Sequence, residues 1–296
     1  MHMHKLKVKS TGVAVITPFH ADGSVDHDAL THIIHFLIDS GIDFLVALGT
    51  TGESVTLTNE EKQAVFATFV RENKQRIPLI IGVGGNCTRS LVESFQSLDI
   101  DGFDAILSVT PYYNRPTQEG LYQHYMALDA VTPLPLIMYN VPGRTGVNMT
   151  AETTVRIAND AKHIVGVKDA SGNMNQGAQI IAQSPSDFLL FSGDDETAIS
   201  LTLMGGDGVI SVVAGGFPKA FKRGIDLALE KNEPEANQIN QQFKPVIDLL
   251  FKEGNPAGIK AVSQLLGLCE ANVRLPLVKP SDALVAALLP FVKKLN

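Results

Sequence analysis

The chain contains no tryptophan, two cysteines and only 6% aromatic residues. Two cysteines, Cys87 and Cys269, cannot build a disulfide framework or a cysteine-only zinc site. Positive charge is also in deficit. Lys plus Arg number 24 against 31 Asp plus Glu, a net charge of −7, which argues against a general nucleic-acid surface or an anionic-membrane partner. No run of about 18 apolar residues is present, so no transmembrane helix is expected. The basic stretch from Met1 to Ser10 is not followed by an apolar run of signal-peptide type. These absences lead to the expectation of a reducing, cytoplasmic location. Met1-His2-Met3-His4 is a pattern that could hold copper or nickel, and a loose end or an expression remnant is the plainer reading.

What is present is a globular composition: 45% hydrophobic and 19% charged over 296 residues, enough to bury a large core without staples. The length allows two domains of roughly 150 residues, or a single α/β barrel of about 250. Short β-branched apolar runs recur along the chain at Val13–Thr17, Phe44–Gly49, Leu79–Val83, Ala105–Val109, Leu136–Asn140, Ile164–Lys168, Phe188–Ser192 and Gly208–Val212. They are near-continuously hydrophobic, as strands buried on both faces are. Helical patterns lie between them. Asp26–Ser40 has one apolar face and Gly41 as a stop, and Asn59–Asn73 opens with two glutamates. Gly120–Ala130, Ala151–Ala158 and Phe217–Leu229 are similar.

Eight strand–helix alternations predict a parallel (β/α)8 barrel of TIM type. A doubly wound open sheet is the alternative, but Pro18-Phe19-His20-Ala21-Asp22-Gly23 after the first strand lacks a glycine-rich phosphate fingerprint. The strand signal ends near residue 233. Glu235–Lys252, Pro256–Gly267 and Ser281–Lys294 look helical. The expected organisation is therefore a barrel over 1–232 and a helical extension over 233–296 packed on it.

In such a barrel, reactive groups sit at the C-terminal ends of the strands. Lys168 is the only lysine placed in a predicted barrel strand. A free lysine is neutral in about one molecule in 2500 at pH 7. Burial can reverse that and make the amine a nucleophile, whereas an ion pair with Asp169 would be a structural use of the same residue. Gly49-Thr50-Thr51-Gly52-Glu53 offers two hydroxyls and a tight loop that could hold a carboxylate, or an ordinary turn. Tyr112, Tyr113 and Tyr139 are three of only five tyrosines and suit either a proton relay or packing. Arg144, between Gly143 and Thr145, could clamp a carboxylate or stand in solvent. Asp194-Asp195-Glu196 is better explained as an acidic helix N-terminus than as a magnesium site. His32 and His35 lack a third ligand. Gly215-Gly216 is a turn with room in principle for a phosphate.

Together these residues resemble the pyruvate-dependent class I aldolase family, which contains dihydrodipicolinate synthase and N-acetylneuraminate lyase. The resemblance runs from Val13-Ala14-Val15-Ile16-Thr17-Pro18 to Leu275-Pro276-Leu277 and includes Gly49-Thr50-Thr51-Gly52-Glu53 and Val167-Lys168-Asp169. Tyr139-Asn140-Val141-Pro142-Gly143-Arg144-Thr145-Gly146 looks like the synthase branch, because the sialic-acid lyases lack the arginine. Pro111-Tyr112-Tyr113-Asn114-Arg115-Pro116 and Gly254-Asn255-Pro256 also fit that branch. The resemblance implies a lyase without metal or organic cofactor that condenses pyruvate with L-aspartate 4-semialdehyde through a Schiff base on Lys168. It implies a proton relay of Tyr139, Thr50 and Tyr113, with Tyr113 serving a neighbouring subunit. Thr51 would bind pyruvate's carboxylate, Arg144 would bind the second substrate, and Gly193 and Ile210 would line the pyruvate pocket. Family members are mostly homotetramers built from dimers, so the same assembly is expected. A sister aldolase acting on another 2-keto acid, and a non-catalytic barrel that binds small acids, are the competing readings.

The resemblance also implies an allosteric cleft at Ser54, Asn86 and Tyr112. Lysine-inhibited synthases carry histidines where this chain has Asn59 and Lys62, and a glutamate where it has Ser90. Without that acid, and with the like charge of Lys62, inhibition by L-lysine is expected to be weak or absent.

Overall fold

The computed structural model describes Leu6 and residues 8–296, so the Met1–His4 motif lies outside the described residues. Its strands are β1 (Ser10–Ala14), β2 (Phe44–Ala47), β3 (Leu79–Gly82), β4 (Ala105–Val109), β5 (Leu136–Asn140), β6 (Ile164–Asp169), β7 (Leu189–Ser192) and β8 (Gly208–Ser211). Each pairs in parallel with the next, and β8 returns to β1. This closure, which no count of strands could prove, makes the fold a (β/α)8 barrel and excludes the open sheet.

The helices are α1 (His27–Asp39), α2 (Asn59–Asn73), α3 (Thr88–Ser97), α4 (Gln118–Asp129), the single turn α5 (Pro142–Thr145), α6 (Ala151–Asp160), α7 (Met174–Gln183), α8 (Ala198–Met204) and α9 (Pro218–Leu229). Beyond the barrel come α10 (Glu233–Lys252), α11 (Ala257–Leu265) and α12 (Asp282–Leu295). The starts of several are written in their caps. Asp26, Thr117, Thr150 and Ser281 each accept a backbone N–H of the first turn, and Thr58 with Glu61 forms a reciprocal capping box on α2.

Three helices lie outside the expected helical patterns. The buried face of α3 is only Leu91 and Phe95, α8 is seven residues long, and α7 has a glycine at its centre. That glycine is required by packing, since a Cβ on Gly177 would stand 2.5 Å from Leu201. The first strand is also displaced from the expected Val13–Thr17. Pairing begins at the polar residues Ser10 and Thr11, which are buried although polar: the Ser10 hydroxyl donates to Asp226 and the Thr11 N–H to Asp43, while the Thr11 hydroxyl has no partner among the described residues.

The core has two parts. Outward-facing strand residues meet the helices in one large cluster. A smaller cluster fills the barrel itself, including Phe44, Val46, Ile80, Leu107, Ile137, Tyr139, Phe191 and Ile210. Phe44 and Phe191 meet edge to face at 5.4 Å, and Gly12 leaves the space that the Phe44 ring occupies. The helices after residue 233 pack on α8 and α9 and on the turn that follows β8.

Candidate active site

A β-bulge decides which way Lys168 points. At the start of β6, Leu136 pairs with Ile164, but Ile137 pairs with Gly166 and Tyr139 with Lys168. Laterally paired residues in a sheet share a face. Ile137 and Tyr139 belong to the barrel interior, so the extra residue Val165 turns Lys168 inward as well. Without it, Val167 would face the interior and Lys168 the helices. Phe191, paired with Lys168 on the other side, is an interior residue too.

Lys168 is 5% exposed, and its Nζ lies 4.4 Å from the centroid of the Tyr139 ring. It has no carboxylate partner among the described residues. The neighbouring Asp169 is engaged elsewhere, its oxygens accepting from Asn140, Ser171 and Gln176, while burial pushes its pKa up. The ion pair that the sequence left open is therefore not made. Gly193 gives the lysine its room. A Cβ there would lie 2.8 Å from both Lys168 Cε and Ala170 Cβ.

The loop after β2 is a short 3-10 turn, Thr50–Gly52, closed by Glu53 in the left-handed region at φ 53°. Thr50 is partly exposed and Thr51 is buried. Thr17 donates to the Gly52 carbonyl at 2.7 Å. The chain's C-terminal third grips the same loop. Asn255 Nδ2 donates to Thr51 Oγ1 at 3.0 Å. Lys260, fully buried, donates to Glu53 Oε1 at 2.5 Å and to the Asn272 carbonyl at 2.7 Å. Burial pulls the Lys260 ammonium below the ordinary lysine range, and the charge of Glu53 opposes that pull. The Arg274 backbone N–H donates to the other Glu53 oxygen, and its guanidinium binds Glu61, whose pKa is held down to about 2 chiefly by that contact.

Above the barrel a cavity of about 250 Å³ opens. Its walls are mostly apolar, with Leu48, Val83, Leu107, Val109 and Val141, and its polar groups are Thr50, Ser54, Tyr112, Tyr139, Arg144 and Thr145. Arg144 lies in α5, and its guanidinium has no hydrogen-bond or carboxylate partner among the described residues. Thr50, Tyr139 and Arg144 thus share one cavity, with Lys168 against the Tyr139 ring. Lys168, Thr51, Gly193 and Ile210 do not themselves line it. Thr51 is held from behind by Asn255, Gly193 backs Lys168, and Ile210 is 1% exposed within the barrel core. Tyr113 does not enter the cavity either. It is 89% exposed at a left-handed φ of 75°.

The profile of the dihydrodipicolinate synthetase family matches residues 7–293. The chain belongs to the dihydrodipicolinate synthetase family. It is 49% identical over 276 residues to the 4-hydroxy-tetrahydrodipicolinate synthase of Parabacteroides distasonis, covering 93% of each chain. It is 46% identical over 286 residues to that of Flavobacterium psychrophilum, covering 97% of this chain and 98% of that one. Among solved structures, the chloride-inhibited dihydrodipicolinate synthase of Acinetobacter baumannii complexed with pyruvate superposes with a TM-score of 0.92 at 41% identity, over 98% of this chain and all of that one.

In this member of the dihydrodipicolinate synthetase family a second, larger cavity of about 720 Å³ adjoins the first, with Ser54, Val55 and Tyr112 among the residues common to both. It gathers Ser54, Asn86 and Tyr112 with Asn59, Lys62 and Ser90. Asn86 donates to the Tyr112 carbonyl at 3.3 Å. No carboxylate lines it among the described residues.

One expectation is corrected. Asp195 is not part of an acidic helix N-terminus, because α8 begins only at Ala198. Its buried carboxylate instead accepts from the Ser211 hydroxyl and from the backbone N–H groups of Val212 and Val213. Burial raises its pKa to about 6, and those donors offset part of the rise. It anchors the chain where β8 ends. The Gly215-Gly216 turn is a plain strand-to-helix turn shaped by packing. A Cβ on Gly216 would lie 2.5 Å from Val262, so its glycine serves the close approach of α11. His35 pairs with Glu72 at 3.0 Å and joins α1 to α2, while His32 is exposed. The residues that the sequence did not point to are Lys260, Asn272 and Arg274. Lys260 had the signal of a charge inside an apolar helical pattern, whereas Asn272 and Arg274 lie in the irregular segment between α11 and α12, where no pattern marks them.

Proposed function

We propose that this chain condenses pyruvate with L-aspartate 4-semialdehyde to give 4-hydroxy-tetrahydrodipicolinate, through a Schiff base on Lys168. The observation that carries the reading is Lys168 itself, turned into the barrel interior by the bulge in β6, with no carboxylate partner among the described residues and with its amine against the ring of Tyr139, which lines a cavity that also presents Thr50 and Arg144. The relatives are named as this synthase, and one solved relative is complexed with pyruvate.

The Lys168 amine adds to the keto carbon of pyruvate, whose carboxylate is held at Thr50-Thr51, and water leaves as the imine forms. The imine draws electrons from the methyl group, which loses a proton and becomes an enamine carbon. That carbon attacks the aldehyde of the second substrate, whose carboxylate Arg144 binds. The substrate's amine then attacks the imine carbon, the ring closes and Lys168 is released. Tyr139, Thr50 and Tyr113 carry the protons. Pyruvate is small, and the apolar walls of the cavity limit water around the imine, which would otherwise hydrolyse it. Arg144 is the feature that favours this substrate over those of sister aldolases, since a bidentate guanidinium recognises a second carboxylate.

The 89% exposure of Tyr113 supports its serving a neighbouring subunit, in an assembly of two dimers. Dilution to monomer should then lower activity, and a fully active monomer would refute it. The second cavity, without a carboxylate to meet an ammonium group, supports weak or absent inhibition by L-lysine. Sub-millimolar inhibition in a steady-state assay would refute that. We place the enzyme in the cytoplasm.

Trapping tests the central claim. Pyruvate and borohydride should add one reduced adduct per chain to the mass of the wild type, and Lys168→Ala should abolish it. An adduct retained in Lys168→Ala would assign the chemistry to another lysine.

A further inference from the structure

The C-terminal segment supplies three donors to the loop after β2, from Asn255, Lys260 and the Arg274 backbone, and one of them acts on a hydroxyl. Asn255 Nδ2 donates to Thr51 Oγ1 at 3.0 Å, both residues being more than nine-tenths buried. A hydroxyl has one proton and accepts at its lone pairs. Once Thr51 accepts from Asn255, its own proton is free, and it goes to no described residue. Asn255 Oδ1 is buried without a partner, so Thr51 is the only group that the Asn255 amide engages by hydrogen bond among the described residues. Behind it, the Lys260–Glu53 pair holds the left-handed residue that ends the Thr50–Gly52 turn. The turn is thus fixed from the C-terminal segment at its middle residue and at its end.

We propose that Asn255 is a positioning residue for the keto acid. By occupying a lone pair of the Thr51 hydroxyl it leaves that hydroxyl's proton for the carboxylate of the bound acid, which meets Thr51 beyond the wall of the cavity. The inference rests on the keto-acid reading of Lys168. It makes the C-terminal segment part of the substrate site rather than a cover on the barrel, and it acts at the first substrate only, since Arg144 lies on a separate element.

The test is a split between the two substrates. Asn255→Asp keeps the shape of the side chain but replaces the donor by an acceptor, so the Thr51 proton is drawn away from the substrate. Pyruvate KM should rise about tenfold or more, with the KM for aspartate semialdehyde within about twofold of wild type and the borohydride-trapped adduct still complete at saturating pyruvate. Asn255→Ala should show a smaller rise, and in a Thr51→Val background it should add nothing further. An unchanged pyruvate KM in Asn255→Asp, or an equal rise in both KM values, would overturn the proposal. If neither Asn255 variant folds by circular dichroism, Asn255→Ser, alone and with Thr51→Val, decides. A selective rise in pyruvate KM in Asn255→Ser that vanishes when Thr51→Val is already present supports the positioning role, and no rise, or the same rise in both backgrounds, overturns it. Absence of any adduct in the wild type would instead overturn the Schiff-base reading, so the two failures are distinguishable.

Discussion

Gly193 is the most demanding position around Lys168. An alanine there would place its Cβ 2.8 Å from Ala170 Cβ, 2.8 Å from Lys168 Cε and 3.0 Å from Lys168 Cγ. Non-bonded carbons rest at about 3.5–4.0 Å, so each contact must open by about 1 Å. The backbone around the first contact is tied on both sides. The Ala170 N–H donates to the Asn140 carbonyl and the Gly193 N–H to the Asp169 carbonyl, both at 2.8 Å. The lysine chain is the softer partner and gives way. A displacement of about 1 Å at a reacting atom costs about a hundredfold in rate, equivalent to about 2.7 kcal/mol of barrier. Overpacking of this kind also costs about 1–3 kcal/mol of stability. Gly193→Ala should therefore form the pyruvate adduct about a hundredfold more slowly in a borohydride-quenched time course read by mass. The final extent should still be complete, because the amine is present but misplaced. An adduct rate within about threefold of wild type would show that the lysine does not depend on the missing side chain.

Three further outcomes follow from particular contacts. Arg144→Ala should leave the pyruvate adduct intact and lower turnover by more than about a hundredfold, since charged hydrogen bonds contribute about 1.5–3 kcal/mol each; near-normal turnover would remove Arg144 from the site. Lys260→Met should destabilise the protein by about 3–5 kcal/mol, because Glu53 would be left charged and buried, and adding Glu53→Gln should recover part of the loss; urea unfolding of the two variants checks this, and a second substitution that only adds to the damage would contradict the pairing. Asp195 makes stability depend on pH. Its folded pKa, about 6, lies above the ordinary 3.8, so the folded protein holds this proton more tightly than the unfolded chain. Its contribution is fully present below about pH 4 and is lost as pH rises through about 6, a change of about 3 kcal/mol. Unfolding free energies of wild type relative to Asp195→Asn should fall by that amount over the interval, and a constant difference would refute the assignment.

Local patterns made the barrel legible. Strands buried on both faces are written as short apolar runs, and β4 and β5 lie where the runs at Ala105–Val109 and Leu136–Asn140 put them. The same rule misplaced β1, because its first residues, Ser10 and Thr11, are polar yet buried, and the Asp226 and Asp43 carboxylates that meet the Ser10 hydroxyl and the Thr11 N–H are distant in sequence. The helices α3, α7 and α8 were illegible because α3 buries only two side chains, α7 buries Gln176 and Gly177 beside Ile180, and α8 is only seven residues long. Lys168 stood out as a charge in an apolar run. That it faces inward could not be read from β6 alone, because alternation along a strand fixes which residues share a face but not which face is the core. The bulge against β5 settles it.

The same reasoning explains why Asp195 and the Glu53–Lys260 pair were misread or missed. Each is a buried charge whose partner is remote in sequence: Glu53 and Lys260 are 207 residues apart, and Asp195 reaches 16 to 18 residues on to the end of β8. Buried charges are costly unless paired, so a fold that keeps them at the mouth of its barrel gains something other than cohesion there. At both places the charge fixes backbone that the apolar core cannot reach, at the loop after β2 and at the end of β8. Apolar packing closes the cylinder, and remote polar contacts set the loops above it. The first is periodic and readable from a single chain. The second depends on which residues the closure brings together, and it becomes visible only once the barrel is built.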